Sequence, residues 1–154
     1  MFNSDKKIPK LYCVHYNECD PRKCTALKLK KFNLLKIIKN INGNTKKSII
    51  LNPFAQKVLS LNDRELVLKF GMTVIDCSWK KSLKLAKLEW INYRKLPTLI
   101  AANPINYGKW GKLSSVEALA AGLYITKFND LGDLLLSKFT WGIQFKVLNK
   151  FEKN

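Results

Sequence analysis

Three groups of residues in this chain have types and spacings that chemistry could use. Asp76 closes the apolar, β-branched run Met72-Thr73-Val74-Ile75. An acid at the carboxyl end of a buried parallel strand stands where open α/β sheets place ligands. There it can take a proton, cap the next helix or pair with a lysine. The second group is the single histidine, His15, with Cys13, Cys19 and Cys24 around it. The C-x5-C-x4-C spacing matches no standard zinc pattern, since tetrahedral thiolate sites usually come as close pairs. Buried thiols are expected, and no metal is assigned. With Cys77 the four cysteines do not read as a disulfide framework. The third group is Asn106-Tyr107-Gly108-Lys109-Trp110-Gly111-Lys112-Leu113, followed by Ser114, Ser115 and Glu117. Two glycines let the backbone come close to something. Ser114 and Glu117 have capping-box spacing, which marks a helix start. Strand, glycine-containing loop and helix N-terminus can together hold an anionic ligand. An ordinary strand-to-helix connection would read the same way.

These residues need elements to carry them. Residues 11–16 read as a first strand. Asp20-Pro21 reads as the start of a basic helix running to Lys31, with Thr25 near its first turn. Residues 48–51 form a second strand, stopped by Asn52-Pro53. A brief helix is expected over 54–60, and another from 62 to Gly71. Residues 72–78 make the third strand. The helix after it, 79–90, places Trp79, Leu83, Ala86 and Trp90 on one stripe and Lys80, Lys84 and Lys87 beside it. Thr98 to Ala102 is read as a fourth strand, ended by Asn103-Pro104. Helices over 118–125 and 129–139 follow. Strands alternating with helices predict an α/β fold with a mostly parallel sheet and helices on both faces.

Charge bounds the partner. Twenty-eight Lys and Arg against eleven Asp and Glu give a net charge of +17. That excess suits a polyanion, most simply nucleic acid. Arg22, Lys23, Lys28, Lys30 and Lys31 gather on the first helix, and Lys80, Lys84 and Lys87 on the later one. A solvated face would look similar, but density near a helix start favours phosphate contact. No apolar run of about 18 residues is present, and no secretory leader is visible, so a cytoplasmic protein without a membrane span is expected. The apolar share of 47% is enough for one core.

HYNECDPRKCTALKL, LNP, VIDCSW, LP-x-LIAANPINYG and KLSSVEALAA occur in this order. Together they resemble the ribosome-biogenesis aminocarboxypropyltransferases that modify small-subunit rRNA. The resemblance covers about 11–145, and its specific blocks are AANP-x-NYG and DCSW. The CDP-x-KCT-x-LKL block also resembles the N-terminal segment of the RNase L inhibitor ATPases. The resemblance implies a SPOUT-like fold with a trefoil knot toward the C-terminus. An N-terminal α/β lobe over 1–92 and a knotted cofactor-binding lobe over 93–154 are expected to form one compact unit, and the protein is expected to be a monomer. The resemblance also implies S-adenosylmethionine as donor of a 3-amino-3-carboxypropyl (acp) group to N3 of N1-methylpseudouridine.

By the same resemblance, Thr25 and the backbone amide of Ser115 hold the methionine carboxylate. Leu51 and Pro53 wall the adenine, and Leu113 helps enclose it. The Ile75 carbonyl takes the ribose hydroxyls, and Trp79 packs on the methyl group. The Leu99 amide and the Gly111 carbonyl read the adenine edge. Trp110-Gly111 departs from the family's proline-aromatic pair, and Trp110 is then the expected aromatic wall. Asp76 is the candidate base for the imide proton, with His15 as the fallback. Two rival readings remain: a SPOUT methyltransferase of ordinary regiochemistry, and a non-catalytic rRNA-binding assembly factor.

Overall fold

The computed structural model describes residues 7–15, 22, 24–76 and 92–153. Five strands form one sheet: β1 (Leu11–His15), β2 (Lys36–Ile38), β3 (Ile49–Leu51), β4 (Met72–Asp76) and β5 (Tyr93–Arg94). The order is β2-β1-β4-β3-β5, and every pairing is parallel. All three residues of β3 and the first three of β4 are buried. Burial at successive positions means cover on both faces, as parallel sheets require. The β1–β4 register sets His15 directly opposite Asp76. The two chemically promising residues therefore meet because of strand pairing.

Six helices accompany the sheet among the described residues. They are α1 (Thr25–Lys31), α2 (Asn44–Lys47), α3 (Arg64–Phe70), α4 (Ser115–Ile125), α5 (Asn129–Ser137) and α6 (Gly142–Leu148). Helix α4 is the central one. It packs on β4, α1 and α5, and eight of its eleven residues are buried. A helix covered nearly all round belongs inside a fold. Ser114 and Glu117 close the expected capping box at its start. Gly71 ends α3 with φ of 90°, a conformation that favours glycine.

Several expectations are corrected. Residues 98–102 do not join the sheet. Ile100 instead makes an isolated antiparallel bridge with Trp110, and the fifth strand is Tyr93–Arg94, before Pro97. Proline lacks the N–H that would extend that ladder. No helix forms over 54–60: Val58 bridges to Lys95 there, and Asn52 accepts the Phe54 N–H through its side chain at 2.9 Å, a local turn that competes with helix. Helix α1 begins at Thr25 after Cys24, not at Pro21. Strand β2 and helix α6 were not anticipated. The helix expected over 79–90 lies outside the described residues.

A buried ion pair ties the sheet edge to α3. Arg94 Nε lies 3.2 Å from Asp63 Oδ1, with both side chains almost fully covered. Asp63 also accepts the Ser60 N–H at 3.1 Å, closing the cap of the short 3-10 turn that leads into α3. Farther along, Tyr124 in α4 donates to Asp133 in α5 at 2.6 Å, and Lys146 of α6 reaches the same carboxylate at 2.9 Å. Burial and the neighbouring Asp133 carboxylate push the Tyr124 phenol well above its usual range.

Candidate active site

The carboxyl ends of β3 and β4, the start of α1, residues 95–99 and the start of α4 enclose a cavity of about 830 Å³. That volume lies within the usual range for small-molecule and cofactor sites, about 300–1,000 Å³. Thr25, Leu51, Pro53, Ile75, Asp76, Leu99, Gly111, Leu113 and Ser115 all line it. These residues span ninety positions of sequence, and the fold brings them to one place. Trp79 lies outside the described residues. Lys95 and Asn52, which carry no expected role, also line the cavity, as does Cys24, expected only as a buried thiol. Cys24 could have been found from its neighbour Thr25. Lys95 carried no local signal.

One end of the cavity suits an anion. Helices α1 and α4 both start there, and a helix start exposes backbone amides and the positive end of a dipole. Thr25 Oγ1 accepts the Val116 N–H at 3.1 Å. This bond locks the two starts together and leaves the hydroxyl proton able to donate to a carboxylate. The Ser115 amide lies in the first turn of α4.

Leu99 and Gly111, also in the lining, belong to a narrow backbone ladder. The Gly111 amide donates to the Leu99 carbonyl at 2.8 Å, and the Ala101 amide to the Lys109 carbonyl at 2.9 Å. This pattern does not use the Leu99 N–H or the Gly111 C=O. A neighbouring donor and acceptor of that kind match the edge of an adenine. Leu51, Pro53 and Leu113 add apolar surface to the lining. On these grounds the residues present fit S-adenosylmethionine: an anion end, apolar surface and a main-chain edge. Trp110 is corrected as a wall. Its ring is 62% exposed and does not line the cavity.

The ladder is firmly supported from behind. Glu117 is fully buried and accepts from the Ala102 amide at 2.6 Å, the Asn103 amide at 3.2 Å and the Asn103 side chain at 2.6 Å. It also accepts from the Ser114 amide and hydroxyl, each at 2.9 Å. On the other side, Asn149 clasps Ile100, accepting its N–H and donating to its C=O, both at 2.9 Å.

Asp76 is 28% exposed at its side chain, at the cavity wall. His15 Nε2 lies 3.6 Å from Asp76 Oδ2 and 3.4 Å from Cys24 Sγ. The Cys24 thiol donates to Asp76 Oδ2 at 3.5 Å. Burial of the His15 side chain places it behind Asp76, away from the opening. The arrangement holds a carboxylate where it can accept a proton, with a second proton carrier in contact. Of the predicted RNA contacts, Arg22, Lys28, Lys30 and Lys31 are exposed. Lys28 Nζ sits 4.7 Å over the Phe139 ring, so its charge is partly engaged by a cation–π contact. Lys23, Lys80, Lys84 and Lys87 lie outside the described residues.

The chain is similar to known proteins along most of its length. The family model "Ribosome biogenesis protein, C-terminal" matches residues 49–152. A second model, "Possible Fer4-like domain in RNase L inhibitor", matches residues 9–40. The 16S rRNA aminocarboxypropyltransferase of Methanocaldococcus jannaschii is 49% identical over 143 residues, covering 92% of this chain and 83% of that protein. The enzyme of the same name from Methanothermobacter thermautotrophicus is 43% identical over 143 residues, covering 92% and 85%. The solved structure of the SAM-dependent rRNA:acp-transferase from Vulcanisaeta distributa superposes with a TM-score of 0.86 at 38% identity, over 95% of this chain and 82% of that one. A chain this similar over nearly its whole length, with a cavity that fits the donor, belongs to the family of 16S rRNA aminocarboxypropyltransferases, enzymes dependent on S-adenosylmethionine.

Proposed function

We propose that this protein transfers the 3-amino-3-carboxypropyl group of S-adenosylmethionine to N3 of an N1-methylpseudouridine in small-subunit rRNA, in the cytoplasm and as a monomer. The observation that carries this reading is the meeting of the α1 and α4 starts with Asp76 in one cavity. When bound, the cofactor supplies a sulfonium with three carbons open to attack, so the protein's task is selection and alignment.

The Thr25 hydroxyl and amide and the Ser115 amide hold the carboxylate at the end of the transferable arm. Leu51, Pro53 and Leu113 sandwich the adenine, which the Leu99 N–H and Gly111 C=O read. The Ile75 carbonyl takes the ribose hydroxyls. Asp76 accepts the imide proton of the target base, with His15 as a fallback acceptor. Trp79 covers the methyl group. Arg22, Lys23, Lys28, Lys30 and Lys31, together with Lys80, Lys84 and Lys87, position the RNA backbone. The target must be unstacked to present its N3 edge.

We further infer a SPOUT-like fold with a trefoil knot toward the C-terminus. The long connection from β5 to α4 and the return of α4 against β4 support it. The two lobes, 1–92 and 93–154, enter this reading as one unit.

The deciding experiment incubates the protein with labelled S-adenosylmethionine and 16S rRNA lacking the modification. Methylthioadenosine as the small product supports acp transfer. S-adenosylhomocysteine would instead mean methyl transfer, and no cofactor binding by calorimetry would mean an assembly factor. Replacing Trp79 with alanine should weaken cofactor affinity and let some methyl transfer through. Mass spectrometry of the RNA checks this, and unchanged affinity and product would remove the assigned role.

A further inference from the structure

We propose that Tyr107 and Trp110 form a stacking platform for unpaired RNA bases beside the target nucleotide, an inference that rests on the RNA-modifying reading above. Tyr107 is 60% and Trp110 62% exposed. Large aromatic rings are mostly covered in folded proteins, and two exposed ones three residues apart on one loop are ready for a partner. Trp110 adjoins Gly111, which lines the cavity, and Tyr107 stands three residues before Trp110 in the same loop.

The loop that carries them is set before any partner arrives. The Gly108 amide donates to the Ala101 carbonyl at 2.8 Å, and the Lys109 amide to the Asn106 carbonyl at 3.0 Å. Asn103 accepts the Asn106 N–H at 3.0 Å and donates to the Lys112 carbonyl at 3.2 Å. Gly108 and Gly111 have φ of 81° and 71°. Side-chain residues resist that conformation, so the two glycines fix the bend that brings Trp110 outward. A surface already in its bound shape loses little entropy on docking.

The chemistry of the patch selects the occupant. Residues 107–112 are all exposed, and Lys109 and Lys112 flank Trp110 in sequence. Aromatic faces for bases with cations for phosphates are what single-stranded nucleic acid needs, and stacking tolerates any base. A protein partner fits less well, because lysine is depleted at protein–protein interfaces and this chain carries +17. The patch thus adjoins the cavity through Gly111 and holds the strand beside the base that enters.

The test measures affinity for a single-stranded RNA of the target-loop sequence and for a duplex of equal length. Trp110→Ala should lose about tenfold or more in single-strand affinity, and Tyr107→Ala should also weaken it. Trp110→Phe should retain most of the affinity. The slope of log affinity against log salt should be the same as in the parent, since a ring releases no counterions. Ile143→Ala, at another exposed apolar position, should bind RNA as the parent does. Single-strand affinity unchanged in both alanine variants, or duplex affinity falling equally, would overturn the proposal. So would a parallel loss of S-adenosylmethionine affinity, which would return Trp110 to the cavity. If the parent forms no methylthioadenosine with rRNA, the acp reading fails on its own, and the oligonucleotide affinities still decide the platform.

Discussion

Asp76 is held from two directions. Strand register sets His15 opposite it, and the Cys24 thiol donates to the oxygen that faces His15. A carboxylate fixed this way needs little reorganisation to take a proton. Asp76→Asn should therefore lower the single-turnover rate by about 100-fold or more, the scale of a lost general base, with cofactor affinity near that of the parent. Rapid-quench measurement of acp transfer checks this, and an unchanged rate would pass the role to His15. Thr25 illustrates a different kind of residue. Its hydroxyl has an internal partner in the Val116 amide, so the carboxylate-binding role proposed for it and its joining of α1 to α4 act through one atom.

At the scale of elements, the start of α4 and the loop before it act as one piece through Glu117. Glu117→Ala would leave five donors without their acceptor. A loss of about 3–5 kcal/mol is expected for breaking such a buried charged network, or roughly 10 °C in melting temperature. Calorimetry reads the first effect, and weaker cofactor binding, through the displaced Leu99 and Gly111, should accompany it. Much of this piece was legible in the sequence, since Ser114 and Glu117 announce a cap by spacing alone. The strand expected over 98–102 was not. Its apolar residues fit a sheet, but their backbone groups go to Lys109, Gly111 and Asn149, and spacing carries no record of such partners. Strand β2 was hidden for the reverse reason: three residues at a sheet edge make too short a pattern. The convergence of Thr25 with Ser115 came from the family resemblance, because nothing local links positions ninety residues apart.

For the molecule as a whole, charge and packing make separate predictions. Single-strand affinity should fall linearly on a log–log salt plot, with a slope of about 0.7 per phosphate contacted. Replacing Lys30 or Lys31 by alanine should reduce the slope by about that amount if each meets one phosphate. Filter binding across a salt series checks it. Packing predicts an alkaline weakness. The Tyr124 phenol is held neutral in the fold, with its pKa raised, whereas in the unfolded chain it ionises near about pH 10. Its contribution is thus complete below that pH and declines above it. Urea unfolding of the parent and Tyr124→Phe at pH 8 and above 10 should show a smaller alkaline loss in the variant.

The clasp of Asn149 on Ile100 has a temporal side. Leu99 lines the cavity and Ile100 follows it, yet the brace on Ile100 comes from a side chain almost fifty positions later. A chain cut before Asn149 keeps the cavity-lining residues and loses the side chain that braces Ile100. The ladder closes on its own local bonds, but its full rigidity waits on a contact between distant parts of the chain.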